Sequence, residues 1–183
     1  IIIMGTHGTS GWEEFFMGSN AYKVVTEAAC PVLTVQKHAA KNGFRNIVLP
    51  IDNSISSRQK VQHAVEFAEH YGSIIHVVGL ITLDEPEVNQ KFDVMMNQVN
   101  EYLRKHDIPF ENKILTGKNV AKMAMKYANE INADLIMIMT EQEESATDFI
   151  IGPYAQQVVN HSHIPVLSIT PQETYIMEMV HPY

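Results

Sequence analysis

From Phe44 onward the chain alternates two kinds of apolar pattern. Short continuous runs, each of strand length, are separated by stretches with apolar residues at every third or fourth position. RNIVLPID (45–52) is the first run and ends in Asp52. Ser54, Ser56 and Ser57 follow as helix caps. Val61, Ala64, Val65 and Ala68 then mark the inner stripe of a helix that Gly72 stops. SIIHVVGLI (73–81) is a second strand, and 85–106 a long helix with Val88, Phe92, Met95, Met96, Val99 and Leu103 on one stripe. FENKILTG (110–117) is more polar, the pattern of an edge strand. Val120, Met123, Ala124, Tyr127 and Ile131 place a helix at 119–131. ADLIMIMT (133–140) is a fourth strand, a helix runs from Gly152 to His161, and IPVLSIT (164–170) is a fifth strand. Strands joined through helices of this length pair in parallel with right-handed crossovers. The pattern therefore predicts a doubly wound five-stranded α/β sheet, with 47–51 and 135–139 central and adjacent.

The start of the chain repeats the end of that series. IIIM (1–4) matches IMIM (136–139), Gly18–Ala28 matches the last helix, and CPVLTVQ matches IPVLSIT. The offset is 135 before the intervening loop and 134 after it, which predicts that the second loop has lost one residue. Four segments follow. Residues 1–37 are the strand–helix–strand end of one repeat, 38–43 a linker, 44–170 a complete second repeat, and 171–183 a tail, of which 173–182 reads as an arm on this or a neighbouring chain. An opening on Ile1-Ile2-Ile3-Met4, with no initiator Met, reads as a truncated start.

Composition narrows the function classes. At 183 residues and 45% hydrophobic, the chain is long enough for one domain and part of another, with a real core. A net charge of −8 with no local basic cluster excludes general affinity for nucleic acid or anionic membrane. No apolar run reaches the ~20 residues of a membrane span, and no signal peptide is visible. The single cysteine, Cys30, excludes an internal disulfide; in the apolar run before Pro31 it reads as a buried, inert thiol. These features point to the cytoplasm.

One stretch carries candidate chemistry. Gly5-x2-Gly8-x9-Gly18-Ser19 lies between a strand and a helix start. Glycines at a strand end let backbone N–H groups approach phosphate oxygens. Gly18-Ser19-Asn20 then opens a helix whose N-terminus offers N–H donors and partial positive charge. Tight-turn and packing duty is the other reading of these glycines.

This spacing resembles the signature of the universal stress protein family, and LPIDNS (49–54), CPVLTVQ and IPVLSIT resemble its first and last strands. The resemblance covers nearly all the chain before 171. It implies an adenine nucleotide alpha hydrolase-like fold with strand order 3-2-1-4-5, and tandem repeats. It also implies that ATP or another adenine nucleotide is held by Gly5, Gly8, Gly18, Ser19 and Asn20. Finally, it implies that Val32–Val35 and Val166–Ile169 meet antiparallel, within or between chains. A strand–helix–strand piece cannot close a core alone. The 1–36 segment is therefore expected at an interface, in a dimer or larger assembly or in a longer chain that covers it.

The second copy departs from the signature. Thr140, Gln142 or Glu143, and Pro153 stand in the places of the glycines and the helix-start serine, and Glu141, Glu143, Glu144 and Asp148 fill the loop. Like charges at close range cost on the order of 1 kcal/mol per pair even at high dielectric, so no nucleotide is expected there. Asp52 is accordingly not carried over as a ligand contact.

The remaining candidates are weaker. His161 and His163 could join His181 or a carboxylate on a metal, but no third ligand has diagnostic spacing, so no metal site is assigned. His7 could meet a phosphate, His76 reads as a satisfied strand histidine, and Trp12 as a surface or interface anchor. No Ser–His–Asp or Cys–His order supports a catalytic set, and Glu13 and Glu14 are the only carboxylates near a γ-phosphate position. The reading is a nucleotide-responsive binding module. The alternatives are a slow ATP hydrolase of the same fold and a purely structural dimerisation domain.

Overall fold

The computed structural model describes residues 1–6, 17–36, 43–54, 56–82, 85–140, 142–145 and 148–171. The elements begin with β1 (Ile2–Gly5), α1 (Ser19–Glu27) and β2 (Val32–Val35). Then come β3 (Asn46–Ile51), a 3-10 turn (Ser56–Arg58), α2 (Lys60–Tyr71), β4 (Ile74–Ile81) and α3 (Pro86–Lys105). The chain continues through β5 (Phe110–Thr116), α4 (Val120–Glu130) and β6 (Leu135–Met139). It closes with β7 (Gln142–Ser145), β8 (Asp148–Ile151), α5 (Pro153–His161) and β9 (Val166–Ile169).

Local chemistry sets the helix ends. Gly72 takes the left-handed conformation (φ 63°) after α2, and its N–H returns to the Ala68 carbonyl. Pro86 opens α3, where its missing N–H costs nothing. The Asn119 Oδ1 accepts the Lys122 N–H at 2.9 Å and caps α4.

The strands form one seven-stranded sheet, ordered β1-β2-β9-β6-β3-β4-β5. It exceeds the five strands of 44–170 because β2 joins the edge of β9. β2 and β9 run antiparallel, with Leu33 opposite Leu167; every other pair in this sheet is parallel. The apolar strands β3 and β6 are adjacent and interior, and polar β5 is an edge.

One face carries α2 and α3 over Ile47, Leu49, Ile75 and Leu135, with Phe92, Met96, Val99 and Leu103 buried from α3. The other carries α1, α4 and α5 over Val48, Val78, Ile136 and Ile138. On α4 the buried stripe is Ala121, Ala124 and Ala128; the larger Val120, Met123, Tyr127 and Ile131 are only partly buried beside them.

Three expectations are corrected. First, 142–151 is not an open loop: β7 and β8 pair antiparallel as a separate hairpin, and β8 lies beside α1. Second, the two strand–helix–strand segments match at a single offset of 134. Ile2 pairs with Val32 and Ile136 with Val166, and the Ile2 and Ile136 N–H groups bond the carbonyls of Pro31 and Pro165. At that offset Gly5 stands where Met139 does, and Thr6 where Thr140 does. Third, Cys30 lies in the turn before β2 and is only partly buried.

Candidate functional site

The entry to α1 is anchored at the exit of β1. Thr6, buried at the end of β1, donates its N–H to the Val35 carbonyl at 3.2 Å and accepts the Gly18 N–H at 3.0 Å. Those two bonds bring the exit of β1 and the entry of α1 together. Gly8, His7, Trp12, Glu13 and Glu14 lie outside the described residues, as does His181.

Gly18 is the N-cap, with φ −57° and ψ 150°. That conformation suits any residue, and among the described residues a Cβ there would meet only the Thr6 carbonyl oxygen, at 3.7 Å. Glycine at 18 is therefore not demanded by the backbone. The Tyr22 N–H bonds the Gly18 carbonyl at 2.9 Å. The amides of Ser19, Asn20 and Ala21 thus have no intrahelical acceptor. Ser19 and Asn20 are exposed, and the first turn holds no acidic residue to neutralise its partial positive charge. The structure brings Gly5, Gly18, Ser19 and Asn20 to the carboxyl end of β1.

The second copy reproduces this frame with other chemistry. Gly152 has φ −58° and ψ 150°, and Thr140 donates its N–H to the Ile169 carbonyl at 2.8 Å. The first helical residue is now Pro153, which has no N–H. Met139 and Gln142 stand in the places of Gly5 and Gly8, and the hairpin occupies the loop.

At the carboxyl ends of β3 and β6 the chain makes its own contacts. The 3-10 turn lies against both strands. The Asp52 N–H donates to Ser57 Oγ at 3.1 Å, and Asp52 Oδ1 accepts the Ser54 N–H at 2.8 Å. Lys60, buried, donates to the Ser57 carbonyl at 2.6 Å and to its hydroxyl at 3.1 Å. A cavity of about 90 Å³ lies nearby between Cys30, Gln59, His63, Ile169 and Thr170. It is far smaller than the ~300–1,000 Å³ of ordinary ligand pockets.

His161 and His163 are exposed. Among the described residues no group of three His, Cys, Asp or Glu side chains could hold a metal ion, and no helix is long and apolar enough to cross a membrane. Sequence reasoning missed one residue at the site. Asn160 of α5 accepts the Met17 N–H at the entry to α1 (2.9 Å), a contact between positions 143 apart with no local signal.

Known proteins share this architecture. The model of the universal stress protein family matches residues 1–36 and 43–169. A universal stress protein of Methanocaldococcus jannaschii is 21% identical over 144 residues, covering 70% of this chain and 84% of that protein. A crystal structure of a universal stress protein from Archaeoglobus fulgidus superposes with a TM-score of 0.74 at 20% identity, over 92% of this chain and 61% of that one. This chain thus spans less than two thirds of that longer relative. A universal stress protein in complex with cAMP matches 70% of this chain and 98% of its own, with a TM-score of 0.59 at 18% identity. With both halves of the sheet matched by one family model, the chain belongs to the universal stress protein family.

Proposed function

We propose that the chain is a universal-stress-type binding and interaction module with two unequal repeats. Residues 1–37 are the end of one repeat, carrying an adenine-nucleotide phosphate motif at Gly5, Gly8, Gly18, Ser19 and Asn20. Residues 44–170 are a complete repeat of strand order 3-2-1-4-5 that holds no nucleotide. The observation that carries this reading is the contrast between two helix starts whose N-caps share one backbone conformation. α1 presents three amides, a serine and an asparagine, whereas α5 starts on Pro153. The cAMP complex of a relative shows that this fold accepts an adenine nucleotide in at least one member. In the second repeat, the 3-10 turn, held by Lys60, lies against the carboxyl ends of β3 and β6, where such a ligand would lie. The nucleotide acts as a conformational ligand.

Calorimetric titration of the whole chain with ATP and with cAMP tests this. Binding is expected with Kd below about 100 μM, roughly −5.5 kcal/mol. Ser19→Pro suits the first helical position but deletes an N–H and a hydroxyl. It should weaken binding at least about tenfold, while Pro153→Ser should leave it unchanged. Absence of binding to the unmodified chain, or equal affinity in Ser19→Pro, would overturn the reading.

A further inference from the structure

Asn160 lies near the end of α5 and is buried. Its Oδ1 accepts the Met17 N–H at 2.9 Å, and its carbonyl accepts from Gln36 Nε2 at 3.2 Å. One residue of the 43–171 segment thus grips both the residue before Gly18 and the residue after β2. From the opposite side the Gly18 N–H is held by the Thr6 carbonyl. Met17 and Gly18 thus carry the two held amides that precede the open amides of Ser19, Asn20 and Ala21.

The carbonyl contact is returned: Thr170, the counterpart of Gln36, donates its hydroxyl to the Ala28 carbonyl at the end of α1 at 3.3 Å. Among the described residues, the side-chain bond to the helix entry is not. The counterpart of Asn160, 134 positions earlier, is Thr26. It is also buried, but its hydroxyl donates to the Tyr22 carbonyl of its own helix at 2.8 Å. A helix end at this place is therefore served well enough by threonine. The asparagine adds a bond to the other copy, and it does so only toward the copy that has the glycines.

We propose that Asn160 is a positioning residue for the phosphate-binding end of α1, so that the repeat without a nucleotide site sets the affinity of the repeat with one. This rests on the nucleotide reading above. A buried amide that loses its acceptor must move or find water. A helix entry correctly placed a tenth of the time binds about tenfold more weakly.

The test uses the whole chain with Asn160→Thr, which installs the residue that α1 itself tolerates. Asn160→Asp keeps an acceptor oxygen in place, and Gln156→Ala, exposed on the same helix, is the control. Two quantities are read: the Kd for ATP, and hydrogen exchange at the Met17 amide without ligand. Asn160→Thr should raise Kd about tenfold and speed Met17 exchange; Asn160→Asp should restore Met17 protection; Gln156→Ala should change neither. Unchanged Met17 exchange in Asn160→Thr overturns the proposal, as does unchanged ATP affinity or failure of Asn160→Asp to restore protection. If the unmodified chain binds no ATP, the nucleotide reading falls, and the affinity claim for Asn160 falls with it. The exchange measurement then still decides whether Asn160 holds the helix entry.

Discussion

His76 touches side chains of three other elements at once. It is buried in β4, with Nε2 3.3 Å from Asn46 Oδ1 of β3. Its Nδ1 lies 3.4 Å from the Tyr127 hydroxyl of α4 and 3.5 Å from Glu111 Oε2 of β5. Burial pushes its pKa below the ordinary 6.5, and the Glu111 carboxylate pulls weakly the other way. The Tyr127 hydroxyl is pushed up, by burial first and then by Glu111 and Glu130. The unfolded chain therefore takes the His76 proton first as pH falls. The stability His76 contributes is full above about 6.5 and is lost as pH falls towards and through its lower folded value. Urea unfolding at pH 7.5 and pH 5.5 checks this: His76→Gln should lose less stability between the two than the unmodified chain. An equal loss would mean that His76 takes up its proton equally readily in the folded and unfolded chain. The sequence places His76 in a strand but cannot name its partners, because they lie 30, 51 and 35 positions away. Asn160 was illegible for the same reason.

At the scale of elements, the strands and long helices were legible because burial on both faces forces continuous apolar runs, and packing on one face forces a stripe. The register of the repeat was not. IIIM and IMIM are apolar at every position, so side chains alone cannot choose between neighbouring alignments; the hydrogen bonds to Pro31 and Pro165 choose. The β7–β8 hairpin was missed because β7, QEES, is wholly polar and the apolar run of β8 is only three residues, Phe149–Ile151. Close packing between elements also sets a prediction. A Cβ on Gly79 of β4 would stand 2.6 Å from two ring atoms of Phe92 on α3, a side chain with nowhere to swing. A Cβ on Gly117 would meet the Met123 sulfur at 2.8 Å, near the end of a flexible, partly buried chain. Gly79→Ala should cost about 1–3 kcal/mol and Gly117→Ala less than about 1 kcal/mol. Thermal unfolding of the two variants should separate them; equal shifts would count against a rigid α3–β4 contact.

At the scale of the whole molecule, the sheet has one blunted edge and one apolar edge. β5 presents Glu111 and Lys113, charges that discourage pairing. At β1, Ile3 and the preceding Ile1 are 67% and 61% exposed, whereas their counterparts Met137 and Leu135 are fully buried in the sheet interior under α2. An open apolar edge of this kind recruits another strand, and the available one in a pure sample is a second copy. Light scattering should give a mass above 20.7 kDa, and Ile3→Lys should shift it toward that value. A monodisperse monomer with β1 ordered would exclude the association.

The antiparallel junction of β2 and β9 has the geometry of a two-chain contact folded into one chain. Leu33 faces Leu167 at its centre, with Val32–Ser168 and Thr34–Val166 disposed evenly around it. In a homodimer every substitution there would occur twice. Within a single polypeptide each side mutates independently, and the two have drifted apart. The Thr34 hydroxyl donates to the Val166 carbonyl at 3.2 Å, while the buried hydroxyl of its counterpart Ser168 finds no partner among the described residues. Tethering also fixes the local concentration of one side around the other, so dilution, which dissociates a true dimer, leaves this junction closed.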